Sequence, residues 1–334
     1  MKYDVFGIGN ALVDMEFAVS DKFLQDNNIE KGLMTLVEED RQEELIKVLH
    51  TQHTDEIKRQ CGGSAANSII AVSQFGGKSF YAFKVANDET GHFYLNHMKD
   101  NGVDTKNEEG NLPEGITGKC MVMVSDDAER TMNTYLGITA TLDETEIDQE
   151  ALKNSKWLYV EGYLVASPSG QKAAVEAIKI AKANGVKTSF TMSDPNMVKF
   201  FKANCDEIIG DGLDLIFCNE LEVMDYTGKT DLESAREEMK KYAKKFVITL
   251  GKNGAMIWDG TMFIDIEPHQ VNAVDSNGAG DMYAGAFLYG ITNGLSYAGA
   301  GALASLASSK VVGQYGPRLS WAQVKNLHKE FIGE

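Results

Sequence analysis

Six short apolar runs constrain this chain most. "YDVFGIG" (3–9), "SFYAFKV" (79–85), "WLYVEGY" (157–163), "KTSFTM" (187–192), "LIFCN" (215–219) and "FVITLG" (246–251) read as buried strands. Segments of helical period lie between several of them: "SAANSIIAVSQFG" (64–76), "SGQKAAVEAIKIAKANG" (169–185) and "DLESAREEMKKYAKK" (231–245). Strand and helix in alternation predict an α/β protein with a parallel sheet covered on both faces. With 334 residues, 43% of them hydrophobic, the chain can build one large core.

Two regions break the alternation. Residues 15–37 alternate apolar and polar positions, with no good helix before Val37. "GKCMVMVSDDAERTMNTYL" (118–136) reads as two strands joined by a polar turn at Ser125–Glu129. Together they predict a small separate sheet inserted into the main domain. The expected organisation is therefore one large α/β domain over 1–334, with inserts at about 12–37 and 115–138. "GAMIWDGTMFIDIEP" (254–268) reads as a further hairpin, "AGAGALASLASSKVV" (298–312) as a closely packed internal helix, and 43–60 as a polar amphipathic helix and loop forming a solvated face.

The net charge of −17 argues against nucleic acid and anionic lipid as partners. Cys61, Cys120, Cys205 and Cys218 form no CxxC pair, and the histidines form no metal-binding spacing, so idle thiols in a reducing compartment are expected. The N-terminus reads as a first strand rather than a signal peptide, and no apolar run is long enough to span a membrane. The expectation is a soluble, cytoplasmic protein.

The chemistry concentrates in "AVDSNGAGDMYAGAFLYG" (273–290). Gly278, Ala279 and Gly280 would turn successive N–H groups toward an anion at a helix N-terminus. A carboxylate there, Asp281, repels that anion unless it accepts a proton from a hydroxyl attacking a phosphate. Taken alone, Asp281 would equally serve to stabilise the helix N-terminus.

Other strand ends add to this turn. "CGGSAANS" (61–68) sets Gly62 and Gly63 before a helix, letting backbone approach a ligand, with Asn67 early in that helix. "GIGNALVDM" (7–15) places Asn10 and Asp14 just past the first strand, where Asp14 would hold vicinal hydroxyls or simply occupy a surface turn. In "CNELE" (218–222), Asn219 and Glu222 suit either a hydrated Mg²⁺ near polyphosphate or a helix cap. "TLGKNG" (249–254) brings Gly251 and Gly254 to a strand end as a weak nucleotide-wrapping signal. Arg130, at a hairpin tip, would close over phosphates or lie in solvent, and "SDP" (193–195) reads as a turn.

"CGGSAANS" and "DSNGAGDMYAGAF" resemble the two signatures of the ribokinase-like (PfkB) family of carbohydrate and nucleoside kinases. "CNELE" resembles its NxxE motif and "TLGKNG" its nucleotide-binding turn, in matching order over essentially the whole chain. Within the family, "GIGNALVDM", Asn277 and "RTMNTYLG" (130–137) look most like adenosine kinases. The resemblance implies a three-layer α/β/α sandwich with a mainly parallel sheet and a β-sheet lid. It implies Asp281 as the base and the amides of 278–280 as an anion hole. Asp14, Gly63 and Asn67 would bind ribose hydroxyls, with Asn10 and Ser64 beside them. Thr249, Gly251, Gly254 and Asn277 would contact ATP, Asn219 and Glu222 would position Mg²⁺ and phosphate through water, and Arg130 would approach the phosphates from the lid. Leu12, Met132, Leu136 and Tyr163 are the candidates to surround a base.

These residues lead to ATP-dependent phosphorylation of a nucleoside, adenosine first, with inosine or guanosine or a sugar such as ribose or fructose as alternatives. A Rossmann dehydrogenase is excluded, because no GxGxxG follows the first strand. A monovalent cation is compatible with the resemblance, as is either a monomer or a dimer formed through the lid.

Overall fold

The computed structural model describes residues 1–51, 56–127 and 129–332. In chain order its strands are β1 (Tyr3–Ile8), β2 (Leu12–Ala18), β3 (Met34–Leu36), β4 (Glu56–Gly62), β5 (Ser79–Ala82), β6 (Val103–Asp104), β7 (Thr117–Val124), β8 (Arg130–Gly137), β9 (Ser155–Val160), β10 (Lys187–Thr191), β11 (Leu215–Asn219), β12 (Phe246–Thr249), β13 (Ala255–Trp258) and β14 (Phe263–Ile266). The main sheet runs β14-β13-β12-β11-β10-β9-β1-β5-β6. Its strands are parallel from β6 to β12, and β13 and β14 add an antiparallel hairpin at one edge.

Alternate residues of the parallel strands feed opposite cores. Trp157 and Tyr159 of β9 join one apolar cluster, with the helices Ser64–Gln74, Ala279–Thr292 and Tyr297–Val312. Leu158 and Val160 join the other, with Pro168–Ala183 and Pro195–Ile209. This is the three-layer α/β/α sandwich expected from the apolar runs. The helix Tyr297–Val312 contacts Ala279–Thr292 closely because both are rich in small residues: a Cβ on Gly290 would lie 2.9 Å from the Ala300 Cβ. Among the described residues, no helix is long and apolar enough to cross a membrane. All four cysteines are buried and free.

The second sheet runs β3-β8-β7-β2-β4 and contains both expected inserts. Three features differ from the sequence reading. Residues 15–37 hold a short helix, Asp21–Asp26, started by Ser20 Oγ accepting from the Phe23 amide at 3.1 Å. The strand-like alternation hides it, since a six-residue helix shows less than two turns of period. The stretch 43–60 is not a solvated face. Its helix, Glu39–Thr51, packs Leu45 and Leu49 with Phe17, Phe23, Leu24, Met121 and Met123 on the small sheet. Its end is the edge strand β4, paired with β2 and leading directly into Gly62–Gly63. Polar residues in "EIKRQ" (56–60) concealed the strand. Residues 52–55 of that stretch, and 128 in the expected hairpin turn, lie outside the described residues. The third difference is the helical stretch read over 231–245, which ends at Met239.

Candidate active site

The N-terminus of helix Ala279–Thr292, the N-terminus of helix Ser64–Gln74 and the β1–β2 connection converge on a cavity of about 490 Å³ between the two sheets. Gly278 starts the first helix at φ 74°, where a Cβ would stand 2.4 Å from the carbonyl oxygen of Pro317. Only glycine fits this turn. Gly278→Ala is expected to cost about 1–3 kcal/mol or more in backbone strain and to displace the turn. Thermal unfolding alongside kcat checks it: both should fall.

Asp275 organises the same turn. Its Oδ1 accepts from the Asn277 amide at 3.0 Å, and its Oδ2 accepts from the Gly316 amide at 2.9 Å. Arg130 is ion-paired to it at 2.8 Å. The sequence set Arg130 over phosphates or in solvent; here Asp275 holds it. Arg130 opens β8, is not among the cavity-lining residues, and ties the small sheet to the turn.

Asp281 lies in the first turn of its helix and faces the cavity. Ser64 Oγ donates to its Oδ1 at 2.6 Å and Asn67 Nδ2 to its Oδ2 at 2.8 Å. These bonds join the two glycine motifs, which are more than two hundred residues apart. Burial pushes its carboxyl up to about 6, against the pull of Ser64, Asn67 and Arg318. Of the three turn residues, Gly278 and Gly280 line this cavity, whereas Ala279 faces a neighbouring one and its amide donates to the Ser276 carbonyl at 3.3 Å.

Arg318 was not found from the sequence, where "YGPRLSW" carries no motif. Its Nη1 donates to Asn67 Oδ1 at 3.0 Å. A guanidinium can only donate, so it fixes Asn67 with Oδ1 toward itself and Nδ2 toward Asp281. If Asp281 must be ionised to act, kcat/KM rises with pH through about 6 and is lost below it. Arg318→Gln removes a positive charge that favours the ionised form, so the acid limb should move to higher pH. A pH–rate profile of both proteins checks this.

Asp14 stands on β2 with its carboxyl against Gly62, where a Cβ would lie 2.4 Å from Oδ1. Among the described residues it has no hydrogen-bond or ion-pair partner, and it lines the cavity. Burial pushes it up to about 7. Gly63, at φ 100°, lets the chain pass the Asn10 carbonyl, which would lie 2.5 Å from a Cβ. Asn10 and Gly63 line the cavity, and Gly62 backs Asp14.

Glu161, also missed, ends the β9 run as the carboxylate of "YVEGY". It is 1% exposed and clamps two site segments, accepting from the Asn10 amide at 3.2 Å and the Ala65 amide at 2.8 Å. An ionisable residue at the end of an apolar strand was the available signal.

Asn219 and Glu222 form a reciprocal helix cap. The Glu222 amide donates to Asn219 Oδ1, and the Asn219 amide and Nδ2 donate to the two Glu222 oxygens, all at 2.8 Å. The cap reading of "CNELE" describes these bonds, and the capped pair also lines the cavity. Burial pushes Glu222 up to about 7, and a nearby cation would favour its ionised form. With free lone pairs remaining but no second carboxylate bonded to it, the pair fits water-mediated rather than direct Mg²⁺ binding. Among the described residues no group of three or more His, Cys, Asp or Glu forms a metal site.

Thr249, Gly251, Lys252 and Gly254 line a second cavity of about 340 Å³, which shares Thr249, Ser276, Gly280 and Tyr283 with the first. Asn277 lines the first. The Tyr283 hydroxyl is buried without a hydrogen-bond partner where the two cavities meet. That orphaned group, among the residues the two cavities share, fits a polar ligand reaching from one cavity to the other.

The small sheet supplies an apolar wall. Leu12, Met132 and Leu136 all line the cavity, joined by Met34, Leu36 and Val122. Tyr163 lines the opposite side from the short 3-10 turn Gly162–Ala166, and Ser193 and Asp194 of the expected turn lie nearby on the cavity.

Residues 34–323 match the model of the pfkB family carbohydrate kinases. The chain belongs to that family. It is a phosphotransferase acting on a sugar or nucleoside hydroxyl. It is 29% identical over 296 residues to the 5-dehydro-2-deoxygluconokinase of Clostridium botulinum (strain Alaska E43 / Type E3), covering 83% of this chain and 85% of that protein. The adenosine kinase structure from Sinorhizobium meliloti is similar over 98% of this chain and 99% of its own, with 34% identity and a TM-score of 0.85. A probable sugar kinase from Rhizobium etli CFN 42 gives 32% identity and a TM-score of 0.85 over 97% and 98%. The α/β ribokinase-like fold is thus shared with kinases named for both acceptor types. The curated relatives favour the sugar alternative over adenosine, the leading expectation from sequence.

Proposed function

We propose that this family member transfers the γ-phosphate of ATP to a primary hydroxyl of a sugar acceptor. The observation that carries this reading is the Asp281 carboxylate, fixed by Ser64 and Asn67 beside the 278–280 turn and open to the cavity. Asp14 and Asn67 hold neighbouring hydroxyls of the acceptor and aim the reacting one at Asp281. Asp281 accepts its proton as the oxygen–phosphorus bond forms and the bond to the ADP oxygen breaks. The proton then leaves to water. The amides of Gly278 and Gly280 face the charge that develops on the phosphoryl oxygens. The second cavity holds the nucleotide, with Thr249, Gly251 and Gly254 along it. Mg²⁺, when bound, neutralises phosphate charge, and Asn219 and Glu222 orient its waters.

A nucleoside is the second reading. It is favoured by the apolar wall of Leu12, Met34, Leu36, Val122, Met132 and Leu136 and by Tyr163 opposite, more apolar surface than a bare sugar requires. The test is ADP formation with ribose, fructose, adenosine, inosine and guanosine in turn. Turnover on a sugar with little on nucleosides is the expected result. Turnover on adenosine alone would replace it with the second reading.

A further inference from the structure

Five carboxylates line the acceptor cavity: Asp14, Glu161, Asp194, Glu222 and Asp281. Among the described residues no lysine or arginine lines it. The two arginines whose charge reaches Asp14 are engaged just behind the wall. Arg318 donates to Asn67, and Arg130 is paired with Asp275. The anion-binding elements left are backbone: the 278–280 turn, where the transferring phosphate must sit, and the N-terminus of helix Ser64–Gln74 beside it. A second negative group on the acceptor would lose its hydration and meet like charge, with no cation in the wall to compensate. An uncharged polyol meets the opposite situation, because every carboxylate lone pair facing the cavity can accept from a hydroxyl.

We propose that the acceptor site selects uncharged polyols and rejects acceptors bearing a carboxylate or phosphate. This rests on the kinase reading above. It separates the chain from the gluconokinases it resembles in sequence, since a gluconate-type acceptor carries a carboxylate. Burial holds Asp14 and Glu161 up to about 7 and Asp281 up to about 6, so these groups gain charge as pH rises from 6 to 8. Rejection therefore strengthens with pH.

The experiment measures kcat/KM of the full chain with ATP and Mg²⁺ at pH 6.5 and 8. The acceptors are ribose, fructose and adenosine against 5-dehydro-2-deoxygluconate. At least one neutral acceptor should exceed the acid by about 10²-fold or more at pH 8, with a smaller ratio at pH 6.5. Equal or better turnover of the acid would overturn the inference and leave the kinase reading standing. No acceptor-dependent ADP from any of them would overturn the kinase reading and this inference with it. Asp194→Asn provides a second arm. Asp194 caps the helix Pro195–Ile209 through its Oδ1, and asparagine caps equally well. The variant should raise the acid-to-neutral ratio several-fold in a double comparison with wild type. An unchanged ratio counts against the charge argument.

Discussion

Asp281→Asn should lower kcat by about 10²-fold or more while leaving acceptor binding nearly unchanged, the scale of a positioned general base. The substitution keeps the shape of the side chain: its amide oxygen can accept from Asn67 Nδ2 and its NH2 can donate to Ser64 Oγ, in place of the two donations, at 2.8 and 2.6 Å, that the carboxylate receives in the wild type. What it removes is the group that takes the hydroxyl proton. Steady-state kinetics together with calorimetric titration of the acceptor separate the two effects. A variant that binds normally and turns over within a few-fold of wild type would show Asp281 to be only a helix-terminus carboxylate.

Asp14→Asn should act in the opposite way, on affinity and on stability. Two hydroxyl bonds to a carboxylate contribute about 1.5–3 kcal/mol each, and the amide retains part of that, so KM for the acceptor should rise about 10²-fold with kcat much less affected. The free protein should become more stable. The Asp14 carboxyl is raised from 3.8 to about 7 by burial. A carboxyl raised on folding costs stability above its unfolded value, and the cost grows until pH passes the folded value. The gain from the substitution is therefore full at pH 8 and absent near pH 4. On the order of 2 kcal/mol at pH 8 corresponds to a Tm increase of roughly 4 °C. Paired melting curves at the two pH values test it. Equal Tm shifts at both would mean the carboxyl is not strained by burial.

Much of this site was legible because its parts are local. Gly278, Asp281, Gly63 and Asn67 each sit at or just inside a helix N-terminus, where the small residues and the carboxylate stand out against the apolar runs. What brings them together is not local. Nothing in "YGPRLSW" announces that Arg318 lies against Asn67 from the far end of the chain. The small sheet was legible in β2, β7 and β8, which alternate or form a hairpin, but not in β4, whose polar residues look like loop until β2 pairs with it. The partner of Arg130 was hidden for a related reason. A hairpin-tip arginine looks solvent-exposed until the buried Asp275 is seen opposite it. The acceptor was the least legible, because it is set by walls drawn from seven or more segments, and an apolar wall residue looks the same in sequence as a core residue.

The most direct test of the account is the chemical position of the transferred phosphate. Wild-type protein, ATP, Mg²⁺ and the best acceptor of the panel would be run to completion, and the product examined by phosphorus and proton NMR. The account predicts a phosphate ester on a primary hydroxyl, formed one-to-one with ADP. ADP accompanied only by inorganic phosphate, or an ester at another position, would contradict it.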